Sequence, residues 1–94
     1  MSTLKMHLVG KQITAARGLL GMSQSQLAEA AGVAEQTIIR FEKEQHEPRP
    51  ETIEAIRDVL ETRGIEFING IGPGVRLNLE KAGQFARGAG GSAH

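Results

Sequence analysis

Ser23-Gln24-Ser25-Gln26-Leu27-Ala28-Glu29-Ala30-Ala31-Gly32-Val33-Ala34-Glu35-Gln36-Thr37-Ile38-Ile39-Arg40-Phe41-Glu42 reads as two short helices joined by a turn. Ser23 with Gln26 three residues on has the spacing of a capping box, so a helix starts there. Leu27, Ala28 and Ala31 form its inner face, and Gly32 ends it, because glycine enters the left-handed conformation without a steric penalty. Val33 can plug the core beneath the turn. A third helix is predicted over Ala34–Lys43, with Thr37, Ile38 and Phe41 as its buried stripe. Glu35, Gln36 and Arg40 then lie on its outer side.

Outward from this pair, the pattern stays helical on both sides. Ile13, Ala16, Arg17 and Leu20 fall at i, i+3, i+4 and i+7, which predicts a helix from His7 to the break at Gly21. The polar stretch Glu44–Pro50 is loop, and Pro50 at its end suits a first helical position, where its missing N–H is no loss. The helix it opens runs to about Arg63, with Ile53, Ile56, Val59 and Leu60 inward, and Gly64 ends it. Two β-type runs follow, Ile65–Ile68 and Val75–Leu79, joined by the glycine-rich connector Asn69–Gly74. The fold class expected is mostly α: a four-to-five-helix bundle with a short C-terminal β-hairpin or strand flap. The predicted organisation is a flexible lead-in at 1–6, a helical domain at 7–64, a strand pair at 65–80 and a Gly-rich disordered tail at 81–94.

Composition narrows the function. The 94 residues suffice for one small domain. No apolar run is long enough for a membrane span, and no export signal opens the chain, so a cytoplasmic location is expected. The absence of cysteine removes disulfides, thiolate metal sites and thiol catalysis. His7, His46 and His94 are too widely separated for ligand spacing, so no metal and no cofactor are expected. Ser23 has no histidine and acid partner at a recognisable spacing, and the connector leads to a strand, not to the helix a phosphate loop requires. No catalytic constellation emerges, and the chain reads as a non-enzyme. Eleven basic residues balance eleven acidic ones, which weighs against strong non-specific attraction to nucleic acid. The charges are uneven, however: Lys5, Lys11 and Arg17 stand without an acid in the first twenty residues, while Glu42, Glu44 and Glu47 cluster later.

The joint spacing of Ser23-Gln24, Leu27-Ala28, Gly32-Val33, Thr37-Ile38 and Glu42 resembles the phage-repressor-like (Xre/Cro) helix-turn-helix family. Arg17 upstream and the Pro50/Thr52-Ile53 helix downstream extend the resemblance to residues 8–62. It implies a compact bundle whose third helix enters the major groove of double-stranded DNA. It further implies base contacts from Glu35, Gln36 and Arg40, and phosphate contacts from Gln24, Thr37, Lys43 and Arg49. A glutamine amide suits adenine, an arginine fork suits guanine, and a carboxylate can accept from cytosine. Arg17 and Glu42 would pair between helices one and three, and Gly32 would make the turn. Two positions depart from the family pattern: Glu44 stands where glycine is usual after the third helix, and Ala34 replaces the usual hydroxyl cap.

The function implied is a sequence-specific transcriptional regulator, a repressor in the commonest case, acting as a homodimer. A lone two-stranded hairpin is marginal in water, so Ile65, Phe67, Ile68, Val75, Leu77 and Leu79 are expected to dimerise, with Ile65 and Phe67 on one face and Val75, Leu77 and Leu79 on another. Two alternatives stand beside this. One is an antitoxin-like component of a two-protein system, binding DNA and gripping a second protein through its C-terminal segment. The other is a helix-turn-helix used for protein interaction alone.

Overall fold

A computed structural model describes residues 8–91, with side chains through Gly88. The elements are α1 (Gly10–Leu20), α2 (Gln24–Ala31), α3 (Glu35–Glu42), α4 (Pro50–Thr62), β1 (Ile65–Ile68), β2 (Gly74–Leu77) and α5 (Leu79–Gly91). The lead-in predicted at 1–6, together with His7, lies outside the described residues.

Local chemistry sets the helix ends. The Ser23 hydroxyl accepts from the Gln26 N–H at 3.0 Å, and the Gln26 side-chain oxygen accepts from the Ser23 N–H at 2.9 Å, so the capping box closes in both directions. Gly32 takes φ 72° and turns the chain from α2 into α3. Helix α1 starts at Gly10, later than the periodicity predicts, because Val9 is extended and the Gln12 side chain accepts from its N–H at 2.9 Å. At the end of α3, Glu44 adopts φ 60°, the left-handed conformation that ordinarily favours glycine. It holds because the Glu44 and Gln45 N–H groups return to the Phe41 and Arg40 carbonyls at 2.9 Å each. For a side-chain-bearing residue that conformation costs about 1–2 kcal/mol.

The core is one cluster in which Ile13, Leu27, Ile38, Ile56 and Leu60 are fully buried, each from the stripe its helix shows in sequence. Ile65 joins them at 2% exposure, and Phe67, Val75 and Leu77 pack against the same cluster. The strands are antiparallel, with Ile65 opposite Leu77 and Phe67 opposite Val75. Directly paired residues share a sheet face, so these four side chains lie on one face, toward the helices.

This corrects the expected faces: the two apolar sets occupy one face, not two. Ile65 is buried in the chain's own core, and Phe67, Val75 and Leu77 are partly buried against it. Leu79 is not a strand residue but opens α5. Of the six, only Ile68 and Leu79 stay exposed, along with Ile71 in the connector. The hairpin is secured by Gln12, a buried polar residue of α1, whose amide donates to the carbonyls of Ile68 at 2.9 Å and Gly74 at 3.1 Å.

The disordered tail expected at 81–94 is also corrected: residues 79–91 form a helix, and 92–94 lie outside the described residues. Glycines at 83, 88, 90 and 91 each weaken a helix by about 1 kcal/mol relative to alanine. Tertiary contacts offset this at the first turns. The Asn78 side chain accepts from the Lys81 N–H at 3.0 Å, and the Arg63 guanidinium stacks over the Phe85 ring at 4.5 Å. Gly64, at φ 108°, admits the start of α5 so closely that a Cβ would lie 2.9 Å from the Ala82 nitrogen and the Asn78 oxygen. On the hairpin's outer face, Asn78 and Arg76 hydrogen-bond the Glu66 carboxylate at 3.0 and 2.6 Å, with Lys81 at 3.5 Å. These contacts hold Glu66 down to about 2.

Two glycines of α1 give opposite expectations. A Cβ at Gly10 would run into the Phe41 carbonyl, whereas one at Gly18 would meet nothing within 4 Å. Gly10→Ala should therefore destabilise the fold by about 2–3 kcal/mol through overpacking. Gly18→Ala should stabilise it by about 0.5–1 kcal/mol. Urea midpoints of the two variants moving in the same direction would contradict this packing.

Candidate nucleic-acid interface

Helix α3 turns one side to the core and the other to solvent. Ile38 and Phe41 are buried against α1 and α2, while Glu35, Gln36, Arg40 and Lys43 are exposed. Gln36 and Arg40 are one turn apart, as are Arg40 and Lys43, so the three side chains follow one side of the helix. None of the three makes a side-chain hydrogen bond or ion pair among the described residues. Thr37 is half-buried on the flank of the helix.

The inward side is fixed by a charged clamp. The Arg17 Nε and a terminal nitrogen donate to the two Glu42 oxygens at 2.6 and 2.8 Å, a bidentate pair. Arg17 also donates to the Met22 carbonyl at 2.9 Å, which ties the turn between α1 and α2 into the same unit. The Glu42 side chain is 5% exposed and that of Arg17 is 17% exposed. Burial pushes the Glu42 carboxyl up, but hydrogen bonds from Arg17 and Gln24 and the Arg17 charge outweigh it and hold the group below the usual carboxylate range.

Gln24, expected on a phosphate, donates its amide to Glu42 Oε1 at 3.0 Å. It therefore stands at the start of α2 on the third corner of the clamp. Arg49 is exposed at the cap of α4, 4.0 Å from Glu51, and no side-chain hydrogen bond or ion pair joins it to α3 among the described residues. Lys11, on α1, is 3.8 Å from Glu44. The structure thus brings Gln36, Arg40 and Lys43 together, links Gln24 to them through Glu42, and leaves Arg49 separate. Sequence reasoning passed over Ile39, a half-buried aliphatic residue between Gln36 and Arg40. The signal for it was its place three residues after Gln36, on the polar side of the helix.

A capped helix, a glycine turn and a second helix clamped so that its polar side faces out define a DNA-binding helix-turn-helix. Residues 13–67 match the family model HTH_3, helix-turn-helix, and the chain belongs to that family, the Xre/Cro-like regulators. It is also similar to SinR in the solved SinR protein/SinI protein complex, at 33% identity and a TM-score of 0.54, over 57% of this chain and 53% of that one. The alignment spans about half the length of that relative. No curated protein matches the chain. The family is one of regulatory DNA-binding proteins, not enzymes. No helix among the described residues is long and apolar enough to cross a membrane.

Removing one partner of the clamp leaves a shielded charge unpaired. Glu42→Gln should lower stability at neutral pH by about 3 kcal/mol in urea denaturation. Because the carboxyl titrates lower in the folded state than its ordinary 4.5, its contribution is full above that value and fades as pH falls through the folded value. The gap between wild type and variant should accordingly close in acid. A gap that is constant with pH would contradict the clamp.

Proposed function

We propose that the protein is a sequence-specific transcriptional regulator that binds its operator as a homodimer, most simply repressing by occluding the promoter. Each α3 enters the major groove of one half-site, with the half-sites about one helical turn, roughly 34 Å, apart. The observation that carries this is the outward side of α3, where Gln36, Arg40 and Lys43 stand without side-chain partners among the described residues while Glu42 is clamped behind them. Gln36 and Arg40 read bases, and Glu35 accepts from a cytosine amine. Lys43, Arg49, Thr37 and Gln24 hold phosphates, Gln24 with its amide already oriented by Glu42.

The homodimer reading is supported by the exposed apolar residues Ile68, Ile71 and Leu79 around the hairpin end and the start of α5. A second reading, a DNA-binding member of a two-protein system, is favoured by one observation: SinR, the relative described above, is seen in a complex with SinI.

Salt dependence tests the assignment and the stoichiometry together. Phosphate contacts from Lys43 and Arg49 in two subunits predict a slope of log affinity against log salt of about −3.6. Lys43→Ala should reduce that slope by about 2 in a dimer and by about 1 in a monomer. Binding to duplex DNA that does not weaken with salt would contradict the proposal and favour protein interaction alone.

A further inference from the structure

The outward side of α3 carries an aliphatic residue among its polar ones. Ile39 lies three residues after Gln36 and four before Lys43, spacings that place all three on the same side of the helix. It is half-buried and stands outside the hydrophobic cluster that takes Ile38 and Phe41. A β-branched residue loses side-chain freedom in a helix and so lowers helix propensity. Without core burial to offset that loss, an isoleucine here gains most from an apolar surface supplied from outside the chain.

A major groove is mostly polar at its floor: purine N7, carbonyl oxygens and exocyclic amines. Its apolar feature is the pyrimidine C5-methyl, which thymine carries. We infer that Ile39 reads a pyrimidine C5-methyl and so sets preference at one base pair of each half-site, an inference that rests on the DNA-binding function proposed above. The geometry suits the groove. Three residues advance an α-helix by about 4.5 Å, and successive base pairs rise roughly 3.4 Å, so Ile39 reaches about one step beyond the base under Gln36. Gln36 suits adenine and Ile39 suits a thymine methyl, which together favour A·T pairs at neighbouring steps.

The test uses the full chain. An operator is first selected from a random duplex pool, and each thymine is then replaced singly by deoxyuridine, which removes the methyl and leaves the hydrogen-bonding edge intact. At one thymine per half-site, wild type should lose about fourfold in affinity, the worth of one buried methyl-sized group. Ile39→Ala should bind the thymine and uracil forms equally, while Ile39→Val should keep most of the discrimination. If cytosine occupies the position, its 5-methylation should raise wild-type affinity and leave Ile39→Ala unmoved. Thermal melts of both variants report whether they fold, and the valine variant keeps the comparison open should the alanine variant not. A selected operator that is indifferent to every uracil and 5-methylcytosine replacement, or equally sensitive in wild type and variants, overturns the role of Ile39 alone. Failure to select any sequence overturns the DNA-binding reading with it.

Discussion

Arg17 places two guanidinium nitrogens on the Glu42 carboxylate, across the interface between α1 and the last residue of α3, where water reaches neither group freely. A planar fork on a planar carboxylate fixes rotation as well as distance. The pair therefore sets the roll of α3 about its own axis, which hydrophobic contacts from Ile38 and Phe41 alone would leave less determined. Gln24 on the same carboxylate then ties the start of α2 to the C-terminal end of α3. The direction in which Gln36, Ile39 and Arg40 point is a consequence of that pair.

Charge balance shapes what such a surface can do. With equal numbers of acids and bases, the chain carries no net positive charge to draw DNA in, so displacement of counterions rests on individually placed cations. A balanced net charge favours weak non-specific attraction, and phosphate contacts carry no sequence information, so in the proposed complex discrimination falls to contacts with base edges. An apolar contact at Ile39 fits this regime, since it adds preference without adding charge.

Much of the fold was legible in the sequence because its determinants are local. Ser23 and Gln26 announce a helix start, Gly32 a turn, and the stripes at Ile13/Ala16 and Ile53/Ile56/Leu60 their inner faces. The Arg17–Glu42 pair was legible through the family resemblance, not through spacing. What escaped depends on distant contacts. The order of α5 rests on Asn78, Arg63 and the bare Gly64, none of which offsets the glycines until the chain is folded. The face of the hairpin is set by register, and Gln12 reaches across more than fifty residues to hold it. Ile39 escaped although the stripe of Thr37, Ile38 and Phe41 already left it off the inner face, because an aliphatic side chain among polar ones carries no charge or hydrogen-bonding group to mark it.

The central claim is that the outer side of α3 lies in the major groove. Methylation interference on the selected operator tests it directly, because dimethyl sulfate modifies guanine N7 in the major groove and adenine N3 in the minor groove. Guanine methylation should block wild-type binding in each half-site, and Arg40→Ala should lose that block at one guanine while keeping the rest. Interference confined to adenine N3 would contradict the account.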